Sequence, residues 1–510
     1  PCMMMYYKPR VSLDMLRTYH EGIVCLSACV QGIIPWNVRN GNFEEAEQWA
    51  LTYKEIFGDD FYLEIQDHGL QPPEWNGWSD RSLSEHLVKM GDRLGIKVVA
   101  TNDVHYLRRE DADVQDIVSC IGTASRIDDT NRKKMDGTEF YMKTEAEMRS
   151  IFDWCPQALD NTLEVAQKCK YELDWSSMYL PQYPGLREGE TAEARFREEC
   201  EKGLAIRYGQ NWRDVVINGI NVQERFEYEY KVICDKGFAN YFLIVQDYVQ
   251  WAKDQGIGVG PGRGSAAGAI VAYAMNITTF DPLENGLMFE RFLSPERSEM
   301  PDIDMDFEDE HLQDVLAHVR EVYGEDHVCK VITYSTIKAK QAINDAARVL
   351  GQPVYAAQRL SKMLSSDPKL ELSYALHRSE KHPEQFSPDF EQVYNEDAEA
   401  RAVIDAALSI EGLTRGEGVH ACATLIAPTP VTDHVPTKLD TKGDVTITQY
   451  EGHSVADMGL LKMDFLGLRT LTVINKALRN IKAAYPTAAD IQKMSQAVQD
   501  TLKPGATSVD

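Results

Sequence analysis

No cysteine framework organises this sequence. Its ten cysteines include no CxxC pair and no regular spacing, which argues against a disulfide-stapled secreted scaffold and for a reduced, cytoplasmic protein. Cys25 and Cys29 stand closest together, and that spacing alone does not make a zinc site. Long apolar runs are missing too. No stretch approaches the roughly 18 residues of a membrane span, and the opening PCMMMYYKPR lacks the apolar core of a secretory signal. A basic excess is also absent. Against 80 aspartates and glutamates there are 53 lysines and arginines, a formal charge of -27, which argues against nonspecific coating of nucleic acid. A local basic cleft is compatible with that total, and carboxylates are needed wherever Mg2+ is held. There is no internal repeat and no low-complexity tract.

What is present is ample apolar material: 43% of 510 residues are hydrophobic, enough for several cores and roughly three domains. Up to about residue 170 short apolar strands alternate with helices: EGIVCLSACV, FEEAEQWALTYKEIFG, FYLEIQDHG, SLSEHLVKMGDRLG and IKVVATNDVHYL. That alternation predicts an α/β unit. The Pro/Gly-rich SSMYLPQYPGLREGET reads as a connector. The chain is then helical through YFLIVQDYVQWAKDQG, and mostly helical again over 310–420. Within the latter, the polar, Pro-punctuated stretch 377–397 predicts a surface insertion. HACATLIAP and GLLKMDFLGL return to strand-like patterns, and the last residues are helical in period with little apolar bulk.

Four strings carry chemistry. GVGPGRGSAAG, followed by a small apolar run, is a glycine-rich turn ahead of a helix start, which either makes a plain tight loop or offers bare N–H groups to a phosphate. In MPDIDMDFEDE, Asp302, Asp304 and Asp306 alternate with Ile303, Met305 and Phe307. On a strand the carboxylates would share one face, as a solvated acidic edge or as oxygen ligands for Mg2+. In LLKMDFLGLRTL, Asp464 interrupts an apolar run beside Lys462, either as an Asp–Lys pair or as a metal ligand. In LMFERFLSPERSEM, Arg291 and Arg297 suit phosphate oxygens or the neighbouring glutamates. Together they would hold a triphosphate and two Mg2+ ions for nucleotidyl transfer.

In the same order, GVGPGRGSAAG, FERFLSPER, MPDIDMDF and GLLKMDFLGLRTLT resemble the C-family replicative DNA polymerases of bacteria, the DNA polymerase III alpha subunits. KGFANYFLIVQDYVQWAKDQGI and GVHACATLIAP resemble that family as well. The resemblance runs from about residue 11 to about 480 and implies a multidomain α/β fold. Its parts would be a partial PHP domain over 1–170, a nucleotidyltransferase-like palm with a mixed sheet over 171–333 and 421–470, and a helical thumb inserted over 334–420. Residues 471–510 would be the start of the fingers or a divergent tail. It implies catalytic, Mg2+-binding roles for Asp302, Asp304 and Asp464. It also implies triphosphate contacts from Gly264 and Ser265, and basic positions at Arg263, Arg291, Arg297 and Lys462. Implied partners are primer–template DNA, deoxynucleoside triphosphates, a sliding clamp, a clamp loader and a proofreading exonuclease subunit.

LSACVQGIIP and VVATNDVHYL match the later half of the PHP domain, which implies Zn2+ or Mn2+ ligands at Cys29, Asp103 and His105. Nothing ahead of His20 supplies that domain's opening HxH motif. Leu312 stands where the family usually keeps arginine, and Ser335 where it keeps a glycine. The chain ends where the fingers would begin, as in a fragment or a divergent gene such as a phage copy. The leading expectation is template-directed DNA synthesis. A PHP-type phosphoesterase or exonuclease, and a non-catalytic polymerase remnant, are the alternatives.

TIKAKQAINDAARVLG carries Lys338, Lys340 and Arg348, which either line the primer–template backbone, as expected of the helical thumb, or make a solvated helix face. Phosphate contacts are independent of base sequence and sensitive to salt. Replacing Lys338 and Lys340 with alanine is expected to weaken binding to every DNA sequence and to flatten its salt dependence. Unchanged or sequence-selective binding, read by fluorescence anisotropy over a salt series, would refute the assignment.

Overall fold

The computed structural model describes residues 5–6, 8–175, 177–294 and 301–484. They form two compact units, one from the described residues up to 172 together with 335–416, the other from the described residues of 173–334 together with 417–484.

The first unit contains a parallel three-stranded sheet in the order Cys25–Leu26, Phe61–Ile65, Lys97–Ala100. Parallel strands need crossovers, and helices Phe43–Phe57 and Asp80–Leu94 supply them. Each helix turns one apolar stripe inward, so Ala46, Ala50, Leu83, Leu87 and Met90 close over Phe61, Leu63 and Val98. The alternation in the sequence therefore yields the α/β layer it predicts.

A second apolar core in this unit is helical. Helix Ala339–Val349 is flanked by helices Val354–Met363, Pro388–Glu396 and Ala398–Ile410, and it buries Ala342, Ile343 and Ala346 against Val403, Ile404 and Ala407. Val114, Ile117, Val118 and Ile121 of helix Ala112–Gly122 pack on the same core. The segment 377–397 lies mostly at the surface, as its composition predicts, and is anchored by two buried residues. Phe390 is fully buried in this core and Gln385 is buried beneath the chain, accepting a hydrogen bond from Glu371 N. Polar residues dominate the segment and stay solvated, while the one aromatic at a core-facing helical position pins it to the helical core.

The second unit is built on a mixed six-stranded sheet. Its order is Thr437–Leu439, Thr446–Glu451, Val328–Thr336, Thr414–Ile426, Leu461–Leu468, Met305–Glu308. The last two strands run parallel, as do Thr446–Glu451 and Val328–Thr336, while Leu461–Leu468 is antiparallel to Thr414–Ile426. Helices Ala192–Tyr208, Val222–Asp235 and Ala239–Asp254 pack into one core with the inner faces of Met305, Phe307, Met463 and Phe465. Among the described residues no helix is long and apolar enough to cross a membrane. The final helical pattern falls on Arg469–Ala484, and residues 485–510 lie outside the described residues.

Removing the Phe390 ring should destabilise the first unit by about 3–5 kcal/mol, the cost of an unfilled aromatic site. Denaturant unfolding of Phe390→Ala checks this. A loss under about 0.5 kcal/mol, as for an exposed surface position, would show that the ring does not anchor the segment.

Candidate functional site

The site is laid out by strand periodicity. Phe465 pairs with Met305 in parallel register, so Asp464 stands beside Asp304 one residue earlier. In both strands the odd positions Ile303, Met305, Phe307, Met463 and Phe465 face the core at 0–1% exposure. The Phe465 ring lies 4.7 Å from Tyr248 and 6.0 Å from Phe307, centroid to centroid. Each such buried side chain contributes about 1.5–3 kcal/mol. A slip of one residue would bury the aspartates and expose the rings, so the apolar face locks the register. The regular strand begins only at Met305, so Asp302 and Asp304 lie on the segment leading into it rather than on the strand itself, with the alternation unbroken.

The ligand oxygens of Asp302, Asp304 and Asp464 all lie within 4.8 Å of one another. At that separation each pair of like charges costs roughly 3 kcal/mol at an effective dielectric near 20. Two cations offset part of this. Lys462 donates to Asp464 Oδ2, and Arg263 lies 3.4 Å from Asp304 Oδ1 and 3.6 Å from Asp306 Oδ1. Asp302 keeps an exposed edge, yet partial desolvation lifts its carboxyl above the usual range; Asp304 and Asp464 add to the lift while Lys462 opposes it. Burial acts to lower the Lys462 ammonium, but its contact with Asp464 and the charges of Asp302 and Asp304 raise it on balance. Four carboxylates thus face two cations. Asp464 Oδ1 is buried without a hydrogen-bond partner, and a divalent cation fits a donor set that is crowded, oxygen-only and short of positive charge.

The glycine-rich run lies directly against this face. Gly260 N donates to Asp306 O at 2.8 Å, and Glu308 N to Gly258 O at 2.8 Å. A Cβ on Gly260 would come within 2.9 Å of Asp306 Cβ. Beyond it the chain turns through Gly264, whose φ of +67° favours glycine, into a 3-10 turn Gly264–Gly268 and then the short helix Ile270–Ala274. The exposed Ser265, Gly264 and Arg291 line one open groove of about 520 Å³ with Gly268, Leu287 and Met288. Four of the expected residues are therefore gathered by the turn and carboxylates: Arg263, Gly264, Ser265 and Lys462. Arg291 joins them through the groove. Arg297 lies outside the described residues.

Two contacts were not legible in the sequence. Ile303 N, between the two aspartates, donates to the buried Tyr241 hydroxyl at 2.9 Å. Lys330, 7% exposed on strand Val328–Thr336, is pushed down to about 8 by burial. Both sit in runs that read as ordinary amphipathic segments, and their only signal is a polar group at a core-facing position.

In the first unit the outcome differs. Asp103 Oδ1 stands 3.9 Å from His105 Nδ1, but that nitrogen already contacts Asp103 O at 2.6 Å. Cys29 lines a small cleft with Glu64 and Gln66. Among the described residues Asp302, Asp304 and Asp464 are the only convergent group of three or more potential ligands, and Cys29, Asp103 and His105 are not gathered within the same reach. The His105 ring is instead turned to its own loop through Asp103 O. Lys338 and Lys340 are exposed at the start of helix Ala339–Val349. Arg348 is half-buried instead, its Nη1 donating to Ser125 O at 3.1 Å.

Fold and site define a multidomain α/β protein with a three-carboxylate cluster beside a glycine-lined groove. Residues 194–467 match the family model described as the bacterial DNA polymerase III alpha NTPase domain. The chain belongs to that family. Residues 2–68 match the PHP domain. The DNA polymerase III subunit alpha of Borreliella burgdorferi is 40% identical over 482 residues, covering 94% of this chain and 40% of that protein. The protein of the same name from Escherichia coli (strain K12) is 38% identical over 475 residues, covering 93% and 40%. That from Thermus aquaticus is 36% identical over 542 residues, covering 96% and 43%. The chain spans about two fifths of the length of these relatives.

Asp464→Asn is expected to weaken Mn2+ binding about tenfold or more, a loss of ~1.4 kcal/mol, while Cys29→Ser leaves it unchanged. Water-proton relaxation in a Mn2+ titration checks both. A Cys29→Ser loss equal to that of Asp464→Asn would put the principal cation in the first unit.

Proposed function

We propose that this chain carries the nucleotidyl-transfer centre of a bacterial replicative DNA polymerase, which extends a primer 3′-OH with deoxynucleoside triphosphates on a DNA template. One observation supports this above the rest: Asp302, Asp304 and Asp464, drawn from segments far apart in sequence, converge beside a groove that Ser265 and Arg291 line. A PHP-type phosphoesterase would need a comparable group in the first unit, and none occurs among the described residues.

In this reading the palm comprises 171–333 and 421–470, and the thumb 334–420. The triphosphate would occupy the groove, where Ser265, the N–H groups of the Gly264–Gly268 turn and Arg291 donate to its oxygens. Asp302, Asp304 and Asp464 would hold two Mg2+ ions, which neutralise charge on the attacking and leaving oxygens when bound. Lys462, held charged by Asp464, donates to that carboxylate and keeps it aimed at the cluster. Arg263 bridges Asp304 and Asp306 and so orients the leading end of the acidic segment. Lys338 and Lys340, exposed on the helical unit, would lie along the DNA backbone.

Asp302→Asn keeps the side chain's size and removes its charge. It should lower primer extension by several kcal/mol of transition-state stabilisation, roughly a thousandfold or more, while folding and DNA affinity stay near wild type. Steady-state extension of a primed template by the longest chain bearing these residues checks it. Extension surviving at the wild-type rate would sink the mechanism.

A further inference from the structure

Behind the groove, helix Val222–Asp235 carries a buried ion pair that no sequence motif marks. Glu229 is 0% exposed and the Arg225 side chain 12%. Arg225 Nε donates to Glu229 Oε1. The same guanidinium reaches both walls of the groove through Nη2, at 2.9 Å from Gly268 O and 3.3 Å from Leu287 O. Gly268 closes the turn that presents Gly264 and Ser265, and Leu287 belongs to the opposite wall, which leads to Arg291. The walls meet so closely that a Cβ on Gly268 would fall 2.5 Å from Met288 O. Glu229 Oε2 meanwhile accepts from Val271 N at 3.2 Å, tying down the helix that follows the turn.

A buried ion pair contributes little net stability, because desolvation of both charges offsets their attraction. Its contribution here is geometric. One planar guanidinium satisfies a carboxylate and two carbonyls from separate segments, which an ammonium cannot do at the same spacing. We propose that Arg225 and Glu229 are positioning residues for the nucleotide. They pin the Gly264–Gly268 turn to the Leu287–Met288 wall and so set the width of the groove in which the triphosphate donors stand. This rests on the polymerase reading above. Neither residue touches the carboxylate cluster, so the pair governs how well nucleotide is held rather than how the cation centre works. Donors displaced by even part of an ångström lose much of their contribution.

Two variants test this on primer extension with dTTP by the longest chain bearing these residues. Arg225→Lys keeps the charge and loses the fork. The double change Arg225→Met with Glu229→Leu replaces the pair by apolar side chains, a swap that buried pairs often tolerate. Both should raise the KM for dTTP about tenfold with kcat within about twofold of wild type, and leave the Mg2+ optimum and primer–template affinity unmoved. A folded variant with wild-type KM, or with a fall in kcat at constant KM, would overturn the proposal. Should both variants fail to fold, hydrogen exchange on the wild type decides: dTTP with Mn2+ should slow amides 265–271 and 287–289 together, and protection of one wall alone would overturn the proposal. A wild-type chain that neither extends primer nor binds dTTP would instead defeat the polymerase reading itself, and the inference with it.

Discussion

The parallel pairing of Leu461–Leu468 with Met305–Glu308 is the constraint on which the site depends. Everything chemical about the cluster follows from its register. The pairing holds because one face is a continuous apolar layer in which Phe307, Phe465 and Tyr248 stack. Carboxylates are then forced together on the opposite face, against their mutual repulsion. The apolar face stabilises an arrangement that the polar face, taken alone, would disperse. Core and site are therefore two sides of one sheet rather than separate features.

Because the repulsion is only partly offset, the surrounding groups are arranged to manage it. Lys462 lies two residues before Asp464 on the same face, so its ammonium reaches the carboxylate without any bend of the strand. Arg263 arrives from the glycine-rich run, which can lie close to Asp306 because Gly260 has no side chain to collide with it. Tyr241 holds the backbone between Asp302 and Asp304 from below. On the far side of the strand end, the fully buried Glu308 is satisfied by Arg479 and Asn475, so the next carboxylate along anchors helix Arg469–Ala484 rather than joining the cluster. Adjacent acidic residues in one string thus divide between a carboxylate cluster and a structural anchor, according to the partners each one meets.

The two units differ in how far their function was legible. In the second, the alternation Asp302–Ile303–Asp304–Met305 announces one polar and one apolar face, and the structure keeps it even where the regular strand has not begun. In the first, Cys29, Asp103 and His105 carry the right donor atoms at positions that resemble metal ligands. Donor chemistry is local, whereas convergence depends on how loops leave a sheet, and these loops do not bring the three together. The stretch 377–397 shows the same limit in packing. Its polar composition suggests solvent, and the placement of one ring, Phe390, is decided by neighbours that lie elsewhere in the sequence.

The order of elements, the strand faces, the glycine turn and the family follow from the sequence itself, since each depends on residues within a few positions of one another. The meeting of Asp464 with Asp304 was expected only through the resemblance and two-metal chemistry, and tertiary structure alone decided that Arg225 bridges the carbonyls of Gly268 and Leu287 and that Arg348 turns inward to Ser125. Those contacts join segments separated by tens to hundreds of residues. No local propensity encodes them. They are set by which apolar faces bury each other best, and the polar groups take whatever neighbours that burial leaves them.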